Sequence, residues 1–176
     1  AKGTIYLYFA NKEELFREVV RQTIVTRLEE RARAFAETDA AVSAHAQLRE
    51  YLAVWWASLC EPPFRTVYRL VVGELPRFPD LFRFYLDEVV TRATALLGGV
   101  IARGVARGEF RPIDPAVAAR MISGLFASHA LWVGQPILPP VAAVGDLAPD
   151  AVLAQLEDFV LHALRPLDAE RPGPPA

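Results

Sequence analysis

The sequence predicts an all-α protein, and three observations carry that prediction. Apolar residues make up 53% of the 176-residue chain. They recur at three- and four-residue intervals in nearly every segment. Prolines fall between those segments or at their first turns rather than in their interiors. Val71-Val72 and Ile137-Leu138, the nearest approach to strands, are too short and sit among helical or proline-rich neighbours.

Asn11 reads as the N-cap of a long first helix. Glu14, three residues on, completes a capping-box-like pattern. Leu15, Phe16, Val19, Val20, Thr23, Ile24, Leu28, Ala32 and Phe35 mark its inner face, and Arg17, Glu18, Arg21, Arg27, Glu30 and Arg31 its outer one. It runs to about Glu37. A second helix spans 40–60 and stops at Glu61-Pro62-Pro63. A third runs over 63–75 and ends at Pro76 and Pro79. A fourth begins near Pro79 and continues to about Arg107, with Gly98-Gly99 as a kink and Gly108 as the stop. Asp114-Pro115 opens a fifth, to about Val133. Residues 134–149 form a proline- and glycine-rich loop, Asp150 caps a sixth helix ending near Leu164, and residues 166–176 read as a disordered tail.

Composition restricts function. The net charge is −2, so the chain as a whole has no basic surplus to hold nucleic acid, although a small local surface is compatible with it. The chain contains a single cysteine, Cys60, which excludes an intrachain disulfide. There is no secretory signal and no continuous apolar run of membrane-spanning length, so a cytoplasmic location is expected. His45, His129 and His162 are scattered without metal-site spacing, and no nucleophile–base pairing or glycine-rich phosphate loop is visible. The expectation is therefore a non-enzyme without cofactor or metal.

The opening string AKGTIYLYFANKEELF resembles the end of the helix-turn-helix of tetracycline-repressor (TetR) family regulators and the start of the helix after it. Two further junctions point the same way. Glu74, Pro76, Arg77, Phe78 and Pro79 resemble a turn in members related to the AcrR and AefR repressors, and Arg107-Gly108-Glu109 with Asp114-Pro115 resembles the next. The resemblance implies residues 1–10 as the remnant of a DNA-binding domain, 11–165 as the C-terminal ligand-binding and dimerisation domain, and the earlier DNA-binding helices before Ala1. It implies operator contacts from Lys2, Gly3, Thr4, Tyr6, Tyr8 and Lys12, where small and polar side chains and donors suit the major groove and phosphates.

The same resemblance implies a pocket for a small hydrophobic effector inside the helical domain. Its expected lining, chosen from the aromatic clusters and nearby polar groups, is Trp55, Trp56, Tyr68, Phe82, Tyr85, Ser123, Phe126, His129 and Trp132, with Arg92 a further polar candidate. Aromatics at helical spacing equally suit a plain core. The last two helices are expected to pair with their copies in a homodimer through Met121, Gly124, Leu125, Ser128, Val152, Leu156, Phe159, Val160 and Ala163. The function expected is a ligand-responsive DNA-binding regulator, a repressor released by its effector, with no membrane role. The alternative is a helical small-molecule-binding or interaction protein without a DNA role.

Overall fold

The structure is a computed structural model that describes residues 9–38, 41–132 and 148–166, all of whose regular elements are helical. Among the described residues six helices follow one another. Helix α1 comprises Lys12–Val20, a wide π turn Arg21–Val25, and Thr26–Glu37. Helices α2 (Ala44–Cys60) and α3 (Pro62–Glu74) follow, then a 3₁₀ turn Leu75–Arg77. Helix α4 comprises Pro79–Tyr85, a second π turn Leu86–Thr91, and Arg92–Ala106; α5 is Pro115–Trp132 and α6 is Pro149–Leu164.

Local chemistry sets the ends. The Asn11 side chain accepts from the Glu14 amide at 2.8 Å while the Glu14 carboxylate reaches one residue past the N-cap to accept from the Ala10 amide at 2.7 Å, a capping-box-like pair. Asp114 accepts from the amides of Ala116 and Val117, and Ser43 from that of Ala46, which starts α2 later than the predicted residue 40. Helix α6 differs from expectation: Ala148 is its N-cap, Pro149 its first residue, and Asp150 lies in the first turn without a capping bond.

Gly98 and Gly99 do not kink α4, which runs through them. They are contact points: a Cβ on Gly98 would stand 3.6 Å from the Pro115 carbonyl oxygen, and one on Gly99 3.7 Å from the Phe35 ring. The irregularity in α4 lies earlier, at Leu86–Thr91. Pro79–Ala106 is also, by length and composition, the one described helix that would fit a membrane span. Here its second half is a core helix, with Leu97, Val100 and Ile101 fully buried beside α2 and α5.

The turn after α4 ties the body together. Gly108, at φ 69°, sits in the left-handed region; its amide donates to Val105 O, and the Glu109 amide to Gly104 O at 2.9 Å, a Schellman closure. The next residue, Phe110, lies over Gly104 so closely that any Cβ there would enter the ring. The Glu109 carboxylate then caps α2, accepting from the Ala44 amide at 2.7 Å and the His45 amide at 3.3 Å. Arg111 closes the end of α6, its amide donating to Leu164 O and its Nε to Ala163 O.

Burial pushes the Glu109 carboxyl up, but the bonds from His45 and Ala44 and the charge of Arg107 outweigh it and hold the pKa below the usual value. A depressed carboxylate stabilises the fold above its unfolded value of about 4.3, and that contribution is lost as pH falls through the folded value. Glu109→Gln should therefore cost about 1 kcal/mol at neutral pH, with a gap from wild type that narrows on acidification, measured by urea unfolding between pH 7 and pH 3. Gly104→Ala should cost more, about 1–3 kcal/mol, because the Phe110 ring has to move.

Candidate functional site: a cavity between α1 and the helical body

The two π turns face each other. Arg21–Val25 of α1 packs against Leu86–Thr91 of α4, and both contribute to one cavity. π turns interrupt the helical register and recur at functional sites. In α1 the wide turn has a visible effect on register. Steps of four drift by about 40° each on a regular helix. The wide turn takes up that surplus, so Phe16, Val20, Ile24 and Leu28 all reach the interior. The neighbouring row Thr23, Arg27 and Arg31 is then turned towards the cavity rather than to the outer face assigned to both arginines by periodicity.

The cavity has a volume of about 330 Å³ and is walled by α1, α2, α3, α4 and α5. Its walls are mostly aliphatic and aromatic, including Trp55, Phe64, Tyr68, Val71, Phe82, Tyr85 and Val89. That size and lining suit a small organic molecule. Behind the wall, Trp55 stacks on Phe126 with ring centroids 5.3 Å apart and planes 10° apart, and Trp56 meets the same ring edge-on at 5.9 Å. The Trp56 indole N–H donates to Pro149 O at 2.9 Å, anchoring the start of α6.

The polar groups are few. Arg31 donates from Nη2 to the Ser58 hydroxyl at 2.6 Å, and Ser58 in turn donates to Val54 O at 3.0 Å. Burial lowers the Arg31 pKa from the usual guanidinium value. Arg27 pairs with Glu61 at 2.7 Å, a hydrogen bond that raises its pKa. The Thr94 and Ser123 hydroxyls, both in the cavity wall, are buried without a hydrogen-bond partner. Burial also pushes up the phenols of Tyr68 and Tyr85. Just outside this cavity Tyr51 donates to Ala93 O at 3.3 Å; burial pushes its pKa up to about 12, against the opposing pull of Arg31.

Of the expected lining, the structure brings Trp55, Tyr68, Phe82, Tyr85 and Ser123 to the cavity. Trp56 and Phe126 do not line it; both are almost wholly buried in the layer behind. His129 bonds to Leu125 O of its own helix, and Arg92 bonds to Glu29 and Glu88 at the surface. The Trp132 side chain is outside the described residues. Arg27, Arg31, Arg120 and Thr94, which periodicity did not nominate, line the cavity. The available signal was the i, i+4 arginine pair one position ahead of the buried Ile24–Leu28 row.

The proposed DNA contacts Lys2, Gly3, Thr4, Tyr6 and Tyr8 lie outside the described residues. Lys12 is exposed at the first residue of α1. On the expected dimer face, Met121 is 68% exposed and Phe159 65% exposed. Gly124, Ser128 and Ala163 are exposed too, and Leu125 is half-buried. Val152, Leu156 and Val160 are corrections to that expectation: they are buried inside the protomer, where α6 packs on α2. Among the described residues no cluster of metal-ligating side chains occurs.

Comparison with known proteins gives a consistent picture. Residues 46–141 match the family model described as the C-terminal domain of AefR-like transcriptional repressors. No curated protein matches the chain. Among solved structures, a TetR-family regulatory protein from Rhodococcus superposes with a TM-score of 0.71 at 20% identity, covering 96% of this chain and 82% of its own. The TetR-family regulator PfmR from Thermus thermophilus gives 0.67 at 21%, covering 97% and 84%. A putative TetR-family regulator from Mesorhizobium loti gives 0.64 at 21%, covering 93% and 78%. At these identities the structural likeness establishes the fold.

A phenol whose pKa is raised by folding stabilises the native state below the unfolded value of about 10, and that contribution is lost as pH rises through the folded value. In an ultraviolet titration of the folded protein, the difference between wild type and Tyr51→Phe should show one phenol ionising near pH 12. Ionisation of that phenol near pH 10 with the fold intact would show that Tyr51 is not sealed in.

Proposed function

The chain belongs to the AefR-like family of TetR-type transcriptional regulators, and on that premise we propose that it is a homodimeric cytoplasmic repressor released from its operator by a small organic effector. The observation that carries the effector part of the reading is the cavity of about 330 Å³ with two unpartnered hydroxyls in its wall. Buried polar atoms without partners cost free energy unless something bonds to them. A bound molecule supplies that partner.

Helix α1 is the lever. Its first turn carries Lys12, next to the residues assigned to DNA contact, and its later turns form one wall of the cavity. Arg17 and Arg21 lie over the Phe84 ring of α4 at 4.9 and 5.3 Å from its centroid, and Arg92 of α4 reaches Glu29 at 3.4 Å. Displacing α1 from α4 at the π turns tilts the end that faces DNA. By linkage the effector has to bind the tilted, DNA-incompetent arrangement more tightly than the competent one.

The second copy covers the face formed by Val117, Met121, Gly124 and Ser128 of α5 with Phe159 and Ala163 of α6. Apolar side chains as exposed as Met121 and Phe159, one on each of the last two helices, suit a twofold interface, and a twofold dimer suits paired half-sites in DNA. Because Arg120, Gly124 and Ala127 of the same helix border the cavity, the interface and the effector site share one wall.

The intact regulator should elute as a dimer in light-scattering chromatography and retard a palindromic fragment of its own promoter. Met121→Glu with Phe159→Glu should yield folded monomer with at least about tenfold weaker retardation, since each buried charge opposes association. Unchanged dimer mass in the double variant would contradict the interface. Failure of the wild-type dimer to retard promoter DNA would contradict the regulatory role.

A further inference from the structure

Taking the cavity as the effector site, we infer that its ligand is an amphipathic anion, a hydrophobic carboxylate whose head is held by Arg31. The lining contains three charged residues, Arg27, Arg31 and Arg120, and no aspartate or glutamate. Arg27 is neutralised by Glu61 at 2.7 Å. Arg31 has no ion-pair partner among the described residues; its bond goes to the neutral Ser58 hydroxyl. Glu30 and Glu61 act on it only from a distance, and Glu61 is committed to Arg27. Arg120, at the exposed α5 side of the cavity, likewise forms no ion pair among the described residues.

The Ser58 hydroxyl gives the Arg31 guanidinium a hydrogen bond but no countercharge, so its charge stays unbalanced at an apolar wall. A carboxylate entering the cavity supplies both the charge and the acceptors that Arg31 lacks, through the charge-assisted geometry to which a guanidinium is suited. The hydrocarbon part of such a ligand lies against Trp55, Phe64, Tyr68, Phe82 and Val89, where burying apolar surface drives binding. Thr94 and Ser123 offer hydroxyls for a further acceptor. A neutral molecule of the same body fills the cavity but leaves Arg31 unpaired. A cation meets net positive charge.

The test uses three matched probes, decanoate, decanol and decylamine, titrated into the intact dimer by calorimetry at pH 7.5. Decanoate should bind about tenfold or more tightly than decanol, and decylamine weakest, since a charge-assisted bond in a partly buried site gives at least that preference. Arg31→Gln should bring decanoate and decanol to within about threefold while leaving decanol affinity little changed; Arg31→Lys should restore part of the preference. Equal or tighter binding of decanol to the wild type would overturn the assignment while leaving the effector cavity in place. The same holds if the preference survives intact in folded Arg31→Gln. No heat from any of the three, with the fold verified by circular dichroism, would overturn both the anion assignment and the effector-site reading.

Discussion

The packing of one wide turn on another governs much of this molecule. Where Arg21–Val25 of α1 meets Leu86–Thr91 of α4, two helices that elsewhere follow regular geometry both loosen by about one residue per turn. That contact keeps Ile24 and Leu28 in line with Phe16 and Val20 and turns Arg27 and Arg31 inwards. Without the extra residue, the apolar stripe of α1 would wind away from the body and the arginines would face solvent. The register of α1 and the cationic side of the cavity both follow from this contact.

The body around it is built for rigidity. Fully buried Leu48, Leu52, Leu97, Val100, Ile101 and Phe126 join α2, α4 and α5 in a continuous core. The Schellman turn at Gly108 locks α4 to α2 through Glu109 and to α6 through Arg111. By contrast α1 is held through a narrow apolar line, cation–π contacts at Phe84 and Phe35, and partly exposed ion pairs such as Arg27–Glu61 and Arg92–Glu29. Exposed pairs of this kind contribute about 0–1 kcal/mol each. The cavity thus lies at the seam between a firm body and a more weakly held helix.

The sequence made the helices legible because their ends carry short-range chemistry. The Asn11–Glu14 box, the Asp114 cap, the Gly108 stop and the proline breaks at Pro62 and Pro79 act through neighbours along the chain. What remained hidden depends on tertiary packing. Periodicity finds Trp55 and Trp56 equally apolar, but only the three-dimensional arrangement puts one on the cavity and the other behind it. It finds Val152, Leu156, Phe159 and Val160 equally suited to an interface, yet α2 covers three of them and leaves Phe159 open. Arg27 and Arg31 lie on the cavity side, against the periodicity, because a regular 3.6-residue repeat contains no π turn.

On the function proposed above, filling the cavity moves α1 relative to the body. Spin labels at Lys12→Cys and, separately, at Ala154→Cys, each in a Cys60→Ser background, allow the inter-protomer distances to be measured by double electron–electron resonance with and without a ligand shown to saturate the site. Both positions are exposed. The Lys12 distance should shift by several ångströms on saturation while the Ala154 distance stays fixed. Lys12 distances that do not change at full occupancy would contradict it.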